Sequence, residues 1–345
     1  MLRPYYNAHM ITALRLLIPL ICVTLVACTN SGNPTVLSSW NGPTAQPTAG
    51  LVGHANPLAG VVLPAPRGLA AVTAASTPID SAADGAVQAF RYNLPGGGTL
   101  AYVVVHLRPN IQVALVNADG ATPASDAQGD TIWADGGRHL ATVAQMVAAP
   151  YAARPGMELV FAMAFGFHGE PRTSDEGSVV IDGVIYRVNA GRTALCMTPE
   201  QRAMIGLFSA TDLAGCSQAA GAGPVILWGG RVVSLEVEQP TAAFLPFNPL
   251  NEDFVHLDWR RTIYAGRYPK TAIGVGYLPD GTTFLVLATS EGALGEDVAL
   301  ALRDMGCIDA LGGDDDTSTQ AVWRGQSLWS RPGRPVPDAV AVYVQ

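Results

Sequence analysis

Beyond Asp84, apolar and polar positions follow short runs of strand length and composition broken by turn residues, and this predicts a chain built mainly of strands. Val87 to Tyr92, Leu100 to Leu107 and Ile111 to Asn117 are rich in Val, Tyr, Phe and Ile and are separated by Pro-Gly-Gly-Gly (95–98) and Pro-Asn (109–110). They predict consecutive antiparallel strands. Glu158 to Phe165 predicts a buried strand, and Val179 to Arg187 carries Asp182-Gly183, a tight hairpin signal. Further strands are expected at 193–197, 203–208, 224–228 and 231–237, the last two joined around Gly229-Gly230. Thr271 to Gly276 and Thr282 to Thr289 should pair across Asp280-Gly281, with more strands near 320–324 and 339–344.

Helical spacing is rarer. Leu140, Val143, Ala144 and Val147 share one face of a short helix stopped by Pro150. Leu294, Val298, Ala301, Leu302 and Met305 share another. Glu296 and Asp297 suit the first turn of that second helix, and Gly306 is placed to end it in the left-handed region. Cys307 to Leu311 then reads as a short apolar strand that delivers Asp314, Asp315 and Asp316 to its C-terminal end, where sheets often keep their chemistry. Ala118 to Arg138 reads as loop, and Pro240 to Asp258 is Pro/Asn-rich and irregular. Many strands, hairpin connections and two or three helices predict one α+β domain over 84–345, mostly antiparallel in a mixed sheet arrangement.

The N-terminal quarter follows another pattern. Residues 1–28 have the form of a targeting leader: Arg15 closes a basic region, and Leu16 to Ala27 form an apolar stretch too short for an ordinary membrane span. Leu25-Val26-Ala27-Cys28 resembles a bacterial lipobox, which implies acylation of Cys28 and a domain held outside the cytoplasm on a membrane surface. Residues 29–83 are rich in Pro, Ala, Gly, Ser and Thr and predict a spacer without regular structure.

The chain's 345 residues are 49% hydrophobic and 14% charged, enough for a large core. The formal charge is −8, and removing Arg3 and Arg15 with the leader makes it −8 − 2 = −10. No basic run with interleaved aromatics suggests nucleic acid as a partner. Of five Cys, Cys22 and Cys28 belong to the leader and anchor. Cys196, Cys216 and Cys307 allow one disulfide and one free thiol; proximity favours Cys196 with Cys216 and leaves Cys307 in its apolar strand. Their spacing matches no zinc site.

Four segments, in order, resemble the phosphodiester glycosidase family. They are Leu159 to Gly183 (LVFAMAFGFHGEPRTSDEGSVVIDG), Ile226 to Val233, Lys270 to Gly274 (KTAIG) with its Asp280-Gly281 turn, and GCIDALGGDDDTST at 306–319. The resemblance spans about Ala86 to Tyr343 and implies hydrolysis of a sugar–phosphate bond, with no cofactor. Asp314, Ser318 and Thr319 match the family's pattern directly. The family's Asn falls on Ala164, its Arg on Lys270, and its loop glycines on Asp315, Asp316 and Thr317.

The resemblance makes Asp314 the expected catalytic carboxylate. A cluster of like charges raises at least one carboxyl pKa, which makes Asp315 or Asp316 a candidate acid, with Asp316 taken as the catalytic one. Lys270, Arg172, His168, Glu170, Glu291, Ser318 and Thr319 are candidate substrate ligands. His168, Glu170 and Arg172 alternate and would share one side of an extended segment, with Arg172 able to replace the lost Arg. Two additional carboxylates would repel a phosphodiester unless a cation intervenes. Asp314, Asp315 and Asp316 are therefore also candidate Ca²⁺ or Mg²⁺ ligands. No Gly-x-Ser-x-Gly, His-Glu-x-x-His or phosphate-binding Gly loop is present, which disfavours those hydrolase classes. The expected partners are a saccharide or sugar-phosphate polymer and, through Cys28, a membrane. The two functions left open are hydrolysis and non-catalytic glycan binding.

Overall fold

The structure is a computed structural model describing residues 63–118, 124–125, 131–132, 140–167, 177–233, 237–239, 245–246, 249–250, 252, 266–331 and 333–345. The leader with Cys28, most of the spacer, and His168, Glu170 and Arg172 lie outside the described residues.

Three main sheets form the domain. The first has eight strands in the spatial order β1 (Thr77–Ala82), β2 (Val87–Asn93), β3 (Thr99–His106), β18 (Thr283–Ala293), β17 (Tyr268–Tyr277), β19 (Cys307–Gly312), β13 (Val225–Trp228) and β14 (Arg231–Val232). The second runs β21 (Gln326–Ser327), β20 (Ala321–Trp323), β7 (Glu158–Ala164), β22 (Asp338–Val344) and β4 (Ile111–Asn117). The third runs β11 (Ala203–Gly206), β10 (Ala194–Met197), β12 (Gln218–Gly221), β8 (Val179–Ile181) and β9 (Val184–Arg187). Two short hairpins complete the set, β5 (Ala124–Ser125) with β6 (Thr131–Ile132) and β15 (Val237–Gln239) with β16 (Leu245–Pro246). The described helices are α1 (Leu69–Ala74), α2 (Val143–Ala148), α3 (Ala210–Leu213) and α4 (Gly295–Asp304).

The α+β expectation holds, and the arrangement is more uniform than a mixed sheet. Every pairing among the described strands is antiparallel. Asp182 and Gly183 form the turn between β8 and β9 with φ of 49° and 81°, as the hairpin signal requires. The strand expected at 231–237 stops at Val232, and Val237–Gln239 pairs instead with Leu245–Pro246.

Strand periodicity divides the second sheet between two apolar clusters. Val113, Leu115, Phe161, Met163, Val340 and Val342 face the main core. The intervening Ala114, Val116, Ala162, Ala164, Ala339, Ala341 and Tyr343 face a smaller cluster, where α2 contributes Val143 and Met146. Small residues dominate that outer side because α2 lies against it. Its N-terminus is fixed by a capping box in which the Thr142 hydroxyl accepts from Gln145 N and the Gln145 side chain accepts from Thr142 N. The third sheet divides likewise. Val179, Leu195, Met197 and Ile205 join the main core, and Val180, Cys196, Phe208 and Leu213 form a satellite closed by the Cys196–Cys216 disulfide. Cys307 is a free, buried thiol.

The spacer ends earlier than its composition suggests. Leu69–Ala74 is helical, and Thr77–Ala82 pairs with β2. Pro78 is compatible with that strand because β1 is at the sheet edge, and the pairing has a bulge between Pro78 and Asp80. The segment is tied to α4: Arg67 Nε lies 2.8 Å from Asp304 Oδ2, and Arg303 Nη2 donates to Pro64 O at 2.8 Å.

α4 buries Val298, Ala299, Ala301 and Leu302, carries Glu296 and Asp297 in its first turn and Arg303 in its last, and is followed by Gly306 at φ 89°. A side chain at Gly274 would meet Cys307 Sγ at 2.6 Å and Leu302 Cδ2 at 3.3 Å, so its absence lets α4 settle on β17 and β19. These pairings bring the start of β17 and the ends of β18 and β19 to one end of the first sheet.

Candidate active site

β19 ends at Gly312, and the backbone holds the next two residues tightly. Gly313 N donates to Thr271 O at 2.9 Å and Asp314 N to Phe165 O at 2.8 Å. The loop is thereby joined to β17 on one side and to the segment following β7 on the other. A Cβ on Gly313 would lie 2.7 Å from Phe165 Cδ2 and 2.8 Å from Phe165 O, so this approach requires glycine. Phe165 is held in turn by its neighbour: Gly166 N donates to the buried Asp338 carboxylate at 3.2 Å.

The three consecutive carboxylates point to three different cations. Asp314 Oδ2 lies 3.3 Å from Arg334 Nη2, Asp315 Oδ2 lies 3.5 Å from Lys270 Nζ, and Asp316 Oδ1 lies 3.4 Å from Arg331 Nη2. Asp314 and Asp315 are buried, whereas Asp316 is exposed at the start of a 3₁₀ turn over Asp316–Ser318. Asp316 has φ 52°. It occupies one of the expected glycine positions in a glycine-like conformation, one that Asp tolerates better than most residues.

Arg334 also donates through Nε to the fully buried Ser318 Oγ, so one guanidinium reaches both ends of the acidic loop. Its backbone is fixed independently: Arg334 N donates to Thr317 O at 2.8 Å, and Gln320 Nε2 donates to Arg334 O at 2.7 Å and Ser318 O at 3.2 Å. Gln320 Oε1 meanwhile accepts from Val143 N at 3.0 Å, connecting the loop to α2. Thr271 Oγ1 lies 3.4 Å from Thr319 Oγ1.

Lys270 is 4% exposed. Burial lowers its ammonium pKa to about 8, against the opposing pull of Asp315 and then Asp316. Its Nζ also lies 5.0 Å from the centre of the Tyr268 ring.

Asp314, Ser318 and Thr319 therefore share one loop, with Lys270 reaching its middle. Glu291 stands apart, lining a cleft at the end of β18. Among the described residues no group of three or more His, Cys, Asp or Glu side chains is arranged to hold a metal ion. Ala164, at the family's Asn position, is fully buried in the cluster shared with α2.

Arg331 and Arg334 were not anticipated as site residues. The available signal was charge: beyond Arg303 the only basic residues are Arg324, Arg331 and Arg334, all shortly after the three aspartates. Glu252 was also missed. It is buried and accepts from Thr193 N at 2.9 Å and Val225 N at 2.8 Å. Burial raises its carboxyl pKa, with these hydrogen bonds and Arg192 opposing the shift. Next to it, Gly223 N donates to Gly312 O at 3.0 Å and Gly312 N to Pro224 O at 2.8 Å, so Glu252 supports the strand end from which the acidic loop starts.

Residues 157–343, which are 187 of the 345, match the phosphodiester glycosidase family. The chain belongs to the phosphodiester glycosidase family. No curated protein matches it by sequence. Among solved structures, a hypothetical protein from Synechocystis is similar with a TM-score of 0.54 and 14% identity, covering 75% of this chain. This phosphodiester glycosidase chain spans 62% of that protein's length. The catalytic domain of zebrafish N-acetylglucosamine-1-phosphodiester alpha-N-acetylglucosaminidase, auto-inhibited by its pro-peptide, gives a TM-score of 0.49 and 15% identity over 78% of this chain and 80% of that one.

Proposed function

We propose that the protein is a hydrolase that releases a sugar from a phosphodiester, with Asp314 as its essential carboxylate. The observation that carries this is the buried Asp314 carboxylate, held by Arg334 in the loop of a phosphodiester glycosidase family member. In this reading, Asp314 takes a proton from the water that attacks the anomeric carbon. The bond from that carbon to the phosphate oxygen breaks, and its electron pair leaves on the phosphate. Phosphate is a stable leaving anion, so Asp316 is a secondary acid at most.

Charge neutralisation is the protein's main contribution. Each loop carboxylate has a cation within 4 Å, so an arriving phosphodiester meets Lys270, Arg331 and Arg334 as well as three acids. That balance supports a site in which cationic side chains offset the expected repulsion. Lys270 and Arg334 are the proposed phosphate ligands, Ser318 and Thr319 position the loop, and Arg172, His168 and Glu170 complete the proposed binding set. The proposed setting is outside the cytoplasm, with lipidated Cys28 on the membrane and a sugar-phosphate or substituted polysaccharide of the envelope as substrate. A second reading, glycan binding without turnover, rests on Ala164 in place of the family's Asn.

The test is hydrolysis of a panel of sugar-1-phosphate methyl esters, read as free sugar, by the full chain and by Asp314→Asn. Turnover that falls by about 10²–10⁴-fold in the variant supports the role of Asp314. Equal turnover removes Asp314 from the mechanism, and saturable sugar binding with no turnover on any ester favours the second reading.

A further inference from the structure

A cleft of about 790 Å³ opens at the same end of the first sheet, beside the acidic loop but outside it. Its lining includes Arg91, Asn93, Thr99, Glu291, Trp329 and Ser330. The volume lies within the range of small-ligand sites, and the polar groups are spread around the wall. Among the described lining residues the charged ones are Arg91 and Glu291, and they are opposite in sign, so this lining selects neither a strong anion nor a strong cation. Amide, hydroxyl, guanidinium and carboxylate groups together supply both donors and acceptors, which suits a neutral polyhydroxylated ligand.

The cleft is built rather than incidental. Arg91 lies with its guanidinium 4.9 Å from the centre of the Trp329 ring and donates to Leu328 O. Ser327 Oγ donates to Trp329 O at 2.6 Å and accepts from Trp329 N at 3.2 Å. The floor depends on Gly98, whose φ is 92° and whose added Cβ would meet Gly292 O at 2.4 Å.

It is also joined to the candidate active site by a row of hydroxyl side chains. Trp329 Nε1 donates to Thr289 Oγ1 at 2.9 Å. Thr289 is the cross-strand partner of Thr271, and Thr271 Oγ1 contacts Thr319 Oγ1 at 3.4 Å. Two residues beyond Trp329, Arg331 pairs with Asp316. From the cleft's nearest wall on β18 to β19, the strand that ends in the loop, the offset is two strand spacings, about 10 Å, and from its wall on β2 it is four, about 19 Å.

From this placement we infer that the cleft is a second saccharide subsite, holding a neutral sugar residue of the same chain whose sugar–phosphate bond lies at Asp314. The inference rests on the proposed hydrolase reading for what occupies the neighbouring loop, but the cleft's own ligand class follows from its lining. It makes the preferred substrate an oligosaccharide or polysaccharide rather than a single sugar-1-phosphate.

The experiment is saturation-transfer NMR on the full chain with maltose, cellobiose and chitobiose as probes and glucose as the monosaccharide control. At least one disaccharide is expected to bind both the native protein and Asp314→Asn, and more tightly than glucose. Ser330→Trp fills the cleft from an exposed position, and Asn93→Ala removes one polar group. Each is expected to weaken that disaccharide by about tenfold or more while thermal unfolding stays cooperative. If Ser330→Trp does not fold, Asn93→Ala and Glu291→Ala carry the test. No saturation transfer to any disaccharide, or equal affinity in the folded cleft variants, overturns the inference. Disaccharide binding without hydrolysis of any sugar-1-phosphate ester leaves the subsite standing and ends the hydrolase reading. Ester hydrolysis without disaccharide binding does the reverse.

Discussion

Arg334 grips Asp314 from twenty residues further along the chain, its Nη2 3.3 Å from the carboxylate Oδ2 while its Nε donates to Ser318. The pair joins a half-buried cation to the buried Asp314, whose Oδ1 also accepts from Asp315 N at 2.9 Å, so losing Arg334 removes a charged donor that solvent is poorly placed to replace.

Replacing Arg334 with Ala therefore removes the charged donor shared by a buried carboxylate and a buried hydroxyl. The expected destabilisation is about 2–4 kcal/mol, below the full range for breaking a buried pair because Arg334 is partly exposed. Arg334→Lys supplies one point charge in place of a fork and should recover part of the stability but not both contacts. Urea unfolding of the three proteins checks the order native, Lys, Ala. Equal stability of the Ala variant would show that the clamp contributes nothing.

Lys270 gives a pH signature. Burial lowers its pKa to about 8, so its positive charge is lost as pH rises through 8 and a phosphate at this loop loses a cation. KM for a sugar-1-phosphodiester should rise above about pH 8, and Lys270→Arg should move that rise to a more alkaline pH. The stability effect has the opposite sign. Between about pH 8 and the ordinary lysine value of 10.5, the unfolded chain binds the proton that the folded chain has released, so stability increases with pH across this window. A flat KM between pH 7 and 9.5 would separate Lys270 from the phosphate.

Much of the fold is legible along the chain because strand periodicity and turn chemistry act locally. The Asp182-Gly183 and Asp280-Gly281 turns and the strand of 339–344 emerge where the pattern places them. The edge strand Thr77–Ala82 is not legible, since Pro78 argues against a strand until its edge position is known. Site residues divide by the same logic. Asp314, Ser318 and Thr319 adjoin a readable strand, whereas Arg334 enters only through tertiary folding of a Pro- and Gly-containing segment that carries no periodic signal. Glu252 was hidden for the same reason, in an irregular stretch whose partners Thr193 and Val225 are distant in sequence.

Asp316 tests whether the departure from glycine is a matter of conformation or of charge. Its φ of 52° is accessible to Gly at no steric cost, and its contact with Arg331 is between two exposed groups. Asp316→Gly should lie within about 1 kcal/mol of the native protein, because relief of strain offsets a weak surface pair. Asp316→Val should lose about 2 kcal/mol, since a β-branched residue is poorly tolerated at positive φ. Thermal unfolding of both separates the explanations. Similar losses in Gly and Val would mean that the Arg331 contact, not the backbone, dominates at this position.

Gly313 separates catalysis from stability. It makes the turn that carries Asp314, and a methyl group there would sit 2.7 Å from Phe165 Cδ2 and 2.8 Å from Phe165 O. Phe165 is fully buried, and the next residue is anchored to Asp338, so neither the ring nor the carbonyl has room to retreat. In Gly313→Ala the loop itself must move, which lengthens the hydrogen bond from Asp314 N to Phe165 O and shifts the carboxylate against Arg334. Overpacking of this kind costs about 1–3 kcal/mol, enough to lower the melting temperature while leaving a folded protein. A displacement of about 1 Å at a reacting group costs about 10²-fold in rate, so kcat should fall far more steeply than stability. Gly166→Ala provides the comparison: its Cβ would meet Asp338 Oδ2 at 2.7 Å, but it disturbs the support one residue away from the Asp314 contact. The expected result is a similar loss of stability in the two variants and a much greater loss of kcat in Gly313→Ala. Equal kcat losses in the two variants would mean that Asp314 has no special dependence on its own backbone anchor.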